Sequence, residues 1–462
     1  MSNVTAALAS YIKSSTFGAL PAGIRRQGAR AFVNWVGCAA GGAREEVVEQ
    51  ALSFFSEFNG ACDTTLVGRP EKLDLLNATY INTLGSTALM FNDTHAATVA
   101  HPIAPVAAAL LALAERQTVH GRDFMLALIL GIEVQCRVGN MLCVPPAECA
   151  VGLSMGGLVG GIGAAVAAAR VLALDEKAIA MAIGLAANHA SGLRQAHASM
   201  ANSLTPAHAA RCGLMAALMA ARGIDCNQNM LEGTKGFGFS FGHQPNFDVA
   251  ITQLGSHYEI DSLSYKPYPS GFVSHPVIEA CLEIAQQDGF DTARVERIEL
   301  TVNPVAAQLM DRLQPDDLAA ALMSVQHWAA VALVCRAAGV AQMTAAVAGM
   351  AAVVGLRRKV TLILDATMGS DAAHVRVVFA GGEHCESRVL HCRGSAARPM
   401  SDADLTDKSR AQLLTAFAPL EAEKILDKCW RIEESPAVGK LCDLLRSDGA
   451  RGETQMLGGT QK

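Results

Sequence analysis

Residues 150–169 read AVGLSMGGLVGGIGAAVAAA, with no charged position. A run of this length is just long enough to cross a bilayer. Its composition argues otherwise. Glycine and alanine gain little from lipid, and no aromatic anchors flank the run. The same small residues let helices approach closely. The stretch is therefore expected to be a buried helix inside a tightly packed helical body. It does not spell a phosphate loop: no G-x-G-x-x-G follows a strand here, and no G-x-x-x-x-G-K-[ST] occurs in the chain.

The segments around it agree. Residues 102–117 open on a proline and end in charge, as a helix should. Residues 121–139 continue the helical pattern. Asp175 reads as the N-cap of the next helix, with Glu176 in its first turn. Pro206 is expected to open a helix over 206–222. The texture changes near 258. The Y-K-P-Y-P turn at 265–269 cannot be helical, because prolines flank Tyr268. A helix at 276–287 is followed by R-I-E-L-T-V-N-P, which alternates apolar and polar residues as a half-buried strand does. Three more short strands are expected between 359 and 390, with a helix at about 318–338 among them. Ser401 then reads as an N-cap. Leu405, Leu413, Leu414, Phe417, Ile425, Leu426 and Trp430 form one apolar stripe. The expected architecture is mainly α. A large all-helical domain is formed by both chain ends, 1–264 plus 396–462. A smaller α+β lid domain, 265–395, is inserted in it.

Composition narrows the function. The chain has 462 residues and a formal charge of −6, which argues against a nucleic-acid binder. Hydrophobic residues reach 51% and charged residues 17%, the opposite of a disordered chain. Thirteen cysteines are scattered without a C-x-x-C pair. They read as small buried hydrophobes in a reducing cytoplasm rather than a disulfide framework or a zinc site. The N-terminus shows no secretory signal pattern, so a cytoplasmic protein without membrane attachment is expected. No H-E-x-x-H, EF-hand or G-x-S-x-G is present, and no metal is expected.

Three clusters carry chemistry-bearing residues. The first is F-N-D-T-H-A-A-T-V-A-H-P, residues 91–102, which crowds Asp93, Thr94, His95 and His101 before a helix start. Such loops either cap the helix or bind an anion at its N-terminus. The second is K-P-Y-P-S-G-F-V-S-H-P, residues 266–276, where Lys266 sits in a rigid turn. Once desolvated, such a lysine binds a carboxylate or acts as a base. The third is S-V-Q-H-W-A-A-V-A-L, residues 324–333, with His327 in an apolar helix. A histidine there is either a core residue or a site residue.

These clusters and four further segments resemble motifs of the MmgE/PrpD family, in the same order. F-N-D-T-H…H-P resembles the family's D-D-T-H…H-P. G-I-E-V-Q-C-R-V-G (131–139), L-E-G-T-K-G-F-G-F-S-F-G (231–242), the Lys266 turn and R-G-S-A-A-R-P-M-S-D-A-D-L (393–405) follow. The segment 163–195 is similar to the family's Gly/Ala helix followed by L-G-L-D and S-G-L-R. The resemblance implies a helical domain from both chain ends, an inserted lid, and an active site between them. It further implies a homodimer, no organic cofactor, and small di- or tricarboxylate substrates. Carried over position by position, it implies roles for Thr94, His101 and Lys266. His327 stands where the family has a tyrosine. Met90, Ser154, Asn202 and Gly271 depart from the family's Asp, His, Lys and His.

The shared chemistry is removal of a proton α to a carboxylate. That needs a positioned base and stabilisation of enolate-like charge. His101 and His327 are the expected base and acid, with Lys266 holding a carboxylate and Asp93 orienting His101. Thr94, Arg194, Ser154, Asn202 and Tyr268 are the expected substrate contacts. The leading expectation is a cofactor-free hydro-lyase. Epimerisation of a carboxylate such as iminodisuccinate comes second, ahead of decarboxylation and a non-catalytic role.

Overall fold

Helix packing starts from the small residues. The Met155–Val171 helix crosses the Ala201–Ala220 helix with backbones almost touching, and a Cβ on Gly213 would lie 2.1 Å from the Gly161 carbonyl oxygen. Only glycine permits that approach. In this computed structural model, residues 3–150 and 152–447 are described. The tail beyond 447, expected to belong to the helical domain, lies outside them.

The described residues are 57% helix and 10% strand. One hydrophobic core runs from Val4 to Tyr265 and resumes from Met400 to Leu445. A second core spans Val273 to Cys392. The Asp402–Leu413 helix packs on the Ala22–Gly41 helix, so late residues complete the body begun by early ones. Asp402 pairs with Arg26 at 2.5 Å and also with Arg30. Among the described residues, the Gly121–Cys143 helix is long and apolar enough to cross a membrane. It lies inside the body, with 94% of its most apolar window buried.

The second core is built on a four-stranded mixed sheet. Its order is His384–Val389, Ala373–Phe379, Val295–Val302, Val360–Leu364. The pair 295–302 and 360–364 is parallel, and the other two pairs are antiparallel. The His275–Ala285 and Val325–Cys335 helices pack together, and the first of them covers the sheet.

Three sequence expectations are corrected. The helix expected from 206 begins at Ala201, with Pro206 inside it. Pro206 has no N–H, so it cannot donate to the Asn202 carbonyl. The helix expected at 318–338 is two, Leu318–Leu322 and Val325–Cys335. Ser324 breaks it: its side chain accepts a bond from the His327 N–H and starts the second helix afresh. The single stripe over 405–430 is also two helices, Asp402–Leu413 and Pro419–Trp430, and Leu414 is exposed.

A buried polar network supports the loop that follows. In the G-I-E-V-Q-C-R-V-G segment, Arg137 bonds Glu133 at 2.5 Å and the carbonyls of Thr252 and His257 at 2.7 and 2.8 Å. Glu133 accepts from the Glu259 N–H at 2.6 Å. Glu259 accepts from Asn140 at 3.0 Å and meets His95 Nε2 at 3.1 Å. A buried ion pair is tolerable when its remaining polar atoms are satisfied this way. The network pins His95, the residue after Thr94.

Candidate active site

A short ladder joins two of the sequence clusters. Asp93–His95 pairs antiparallel with Leu263–Tyr265, with Asp93 opposite Tyr265. Lys266 follows directly, and its N–H donates to the Asn92 carbonyl at 3.3 Å. Its Nζ donates to the Met90 carbonyl and to Asn92 Oδ1, both at 3.1 Å. The Tyr265 N–H donates to the Gly394 carbonyl at 3.1 Å, which ties in the R-G-S segment.

Beside Lys266, between the two cores, lies a cavity of about 130 Å³. A cavity of about 150 Å³ takes a benzene-sized ligand, so this volume is on the scale of a small organic acid. Thr94, His101, Ser154, Arg194, Asn202 and Lys266 all line it. The Met155–Val171 helix starts in its wall at Ser154, and the helix dipole there favours an anion. The Arg194 Nε is buried without a hydrogen-bond partner.

His101 is held in one tautomer. Its Nδ1 lies 2.6 Å from the Asp93 carbonyl, which can only accept, so Nδ1 carries the proton. Thr94 Oγ1 donates to the same carbonyl at 2.8 Å. The lone pair of His101 is therefore on Nε2, which has no protein partner among the described residues. Burial, reinforced by the Lys266 ammonium, pulls this imidazole down to about 3. It is neutral at physiological pH, the form a base requires.

Lys266 belongs to a buried charge cluster. Burial lowers its ammonium to about 8; Asp93 opposes that shift and Lys408 adds to it. Lys408 comes from the Asp402–Leu413 helix. Its Nζ donates to Asn34 Oδ1 at 2.7 Å and to the Phe91 carbonyl at 2.6 Å, and lies 4.3 Å from the Phe91 ring centre. Burial lowers Lys408 to about 8 as well. Phe91 is the residue before Asn92, so Lys408 steadies the peptide that holds Lys266.

Three expected site residues are not in the cavity wall. Asp93 lies behind it. Its carbonyl accepts the His101 Nδ1–H, and its carboxylate caps the next helix by accepting the Ile103 N–H at 3.2 Å. Burial raises that carboxyl to about 6. Tyr268 packs edge-on against His275 at 5.5 Å between ring centres, and burial pushes its phenol up to about 12. His327 is fully buried in the second core beside Trp328, with neither ring nitrogen bonded. Desolvation, with Arg357 nearby, lowers it to about 4. It does not line the cavity.

His197 and Lys408 are the residues that sequence reasoning missed. His197 lines the cavity, three residues after Arg194, and burial with the Arg194, Arg312 and Lys266 charges lowers it to about 4. Its only sequence signal is its closeness to the S-G-L-R segment. Among the described residues, no group of three or more His, Cys, Asp and Glu side chains is arranged to hold a metal ion.

Residues 6–250 match the family model for the MmgE/PrpD N-terminal domain, and residues 268–432 match that for the MmgE/PrpD C-terminal domain. The chain is similar to a cis-aconitate decarboxylase of Mus musculus, 25% identical over 476 residues, covering 99% of this chain and 96% of that one. It is 25% identical over 481 residues to cis-aconitate decarboxylase-like protein oryM of Aspergillus oryzae, covering 96% and 98% of the two chains. A cis-aconitate decarboxylase of Aspergillus terreus is 27% identical over 296 residues, covering 60% and 59%.

Proposed function

The chain belongs to the MmgE/PrpD family, and from that premise we propose that it is a lyase acting on a small carboxylate, with His101 as the base. The observation that carries this is the His101 tautomer: Nδ1–H is fixed on the Asp93 carbonyl at 2.6 Å, and Nε2 is left for a cavity that also holds Lys266.

The Lys266 ammonium and the Arg194 guanidinium hold carboxylates, aided by the helix start at Ser154. His101 Nε2 takes the proton from the carbon next to a bound carboxylate. Lys266 stabilises the charge that spreads onto that carboxylate. In a dehydration the electron pair becomes the new C=C bond, the C–O bond of the adjacent carbon breaks, and the hydroxyl leaves as water with a proton from Lys266. The site is reset when the proton on His101 returns to the amine. The portion 265–395 supplies Lys266 and part of the apolar wall, and in this reading it acts as the lid. Decarboxylation is the second reading, favoured by the names of the relatives. There the breaking bond is C–CO2, and the same two groups manage the carbanion.

The test is incubation with hydroxy-di- and tricarboxylates in deuterated water, followed by NMR. Dehydration gives an alkene and deuterium exchange at the α-carbon. Carbon dioxide release indicates decarboxylation instead, and exchange with racemisation but no alkene indicates epimerisation. His101→Asn is expected to slow α-proton exchange by at least about 10²-fold. Exchange at the wild-type rate in that variant overturns the assignment of the base.

A further inference from the structure

Resting on the His101–Lys266 site just described, we infer that the substrate is a dicarboxylate carrying an apolar arm, and that a tricarboxylate is a poor fit. The cavity's charges are few. Among its described lining residues only Lys266 and Arg194 carry a formal charge, both positive, and no carboxylate is present. The imidazoles of His101 and His197 are held neutral by burial. Two carboxylates balance two cations. A third has no cation left to meet, and burying an unpaired charge is strongly unfavourable.

Much of the rest of the wall is apolar, beside the uncharged polar residues Thr87, Asn92, Thr94, Ser154, Asn202 and Ser203. Met155, Phe272, Val273, Leu309, Met310 and Met323 supply the apolar part. The Met310 thioether fills the space beside Gly271: a Cβ there would lie 2.3 Å from its sulfur. Methionine adapts its shape to aliphatic ligands. Beyond Met90, Asn202, Ser203 and Met323 lies a second cleft of about 650 Å³, which shares those four residues with the first. Its charged lining residues are Glu45, Glu46 and Asp317, all acidic. A carboxylate reaching that way meets repulsion, whereas an uncharged arm gains apolar contact. The two carboxylates therefore lie at Lys266 and Arg194, and the arm runs along Met310 and Met323 toward the second cleft.

Titration calorimetry of the full chain, at fixed pH and ionic strength, tests this with succinate, methylsuccinate, propylsuccinate and tricarballylate. Each added methylene is expected to tighten binding by about fourfold until the arm leaves the wall. Tricarballylate is expected to bind at least about tenfold more weakly than propylsuccinate. Equal or tighter binding of tricarballylate overturns the inference, as does a flat series or no binding by any of the four. Repeating the series on His101→Asn separates the two proposals. A preserved series with wild-type proton exchange defeats the assignment of the base and leaves the substrate class standing. A lost preference for the alkyl arm in the wild type, with exchange still abolished in the variant, does the reverse.

Discussion

Lys266 is a cation kept in a place that disfavours charge. Its ammonium must be present to hold a carboxylate, and burial brings its loss down to about 8. Burial lowers Lys408, in the same cluster, to a similar value. Activity is expected to be level around neutrality and to fall about tenfold per pH unit above roughly 8. A kcat/KM profile from pH 6 to 10 checks this, and a limb delayed to the ordinary lysine range would contradict it. Lys266 was legible as a candidate because prolines stiffen its turn. Lys408 was not. It sits among Asp402, Asp404 and Asp407, which reads as a solvated face, and its partners Asn34 and Phe91 lie in distant segments. His327 was open to both a core and a site role in the sequence. In the structure its ring is buried outside the cavity wall, and neither nitrogen has a hydrogen-bond partner.

At the level of elements, the crossing of the 155–171 and 201–220 helices sets the cavity wall, because Ser154 and Asn202 stand at their starts. Gly213→Ala places a methyl 2.1 Å from the Gly161 carbonyl oxygen and forces the helices apart. Overpacking of this kind costs about 1–3 kcal/mol. Urea unfolding is expected to show that loss, with weaker ligand binding beside it; an unchanged midpoint would mean the crossing adjusts freely. The glycine-rich run announced this contact in the sequence, as Asp175 and Ser401 announced their helix starts. The Asp93–His95 and Leu263–Tyr265 ladder was illegible. Strands of three residues carry no periodicity, and their pairing depends on the folded body between them. The break at Ser324 was hidden for a related reason: apolar residues continue across it, and only the cap bond reveals it.

Over the whole molecule, buried neutral histidines set the response to acid. His101 is lowered to about 3, His197 and His327 to about 4, and His275 well below its usual value. Unfolded histidine takes its proton near 6.5, so the unfolded chain binds more protons below that point and stability falls as pH falls from about 6.5 toward 4. Asp93 works the other way between about 6 and 3.8, since its folded form holds a proton that the unfolded form releases. Five lowered histidines, His208 included, against the three raised carboxyls of Asp93, Glu45 and Glu133 leave a net loss, at about 1.4 kcal/mol per pH unit for each net proton. His197 is partly exposed and contributes less. Urea unfolding at pH 7.5 and 5.0 measures the slope. His327→Leu is expected to reduce it by close to one proton and to leave turnover intact; an unaltered slope would mean that His327 stays neutral in both states. The grip of Lys408 on Phe91 has a consequence in time. The two partners stand 317 residues apart, so a nascent chain already carrying His101 and Lys266 lacks that grip until Lys408 has left the ribosome.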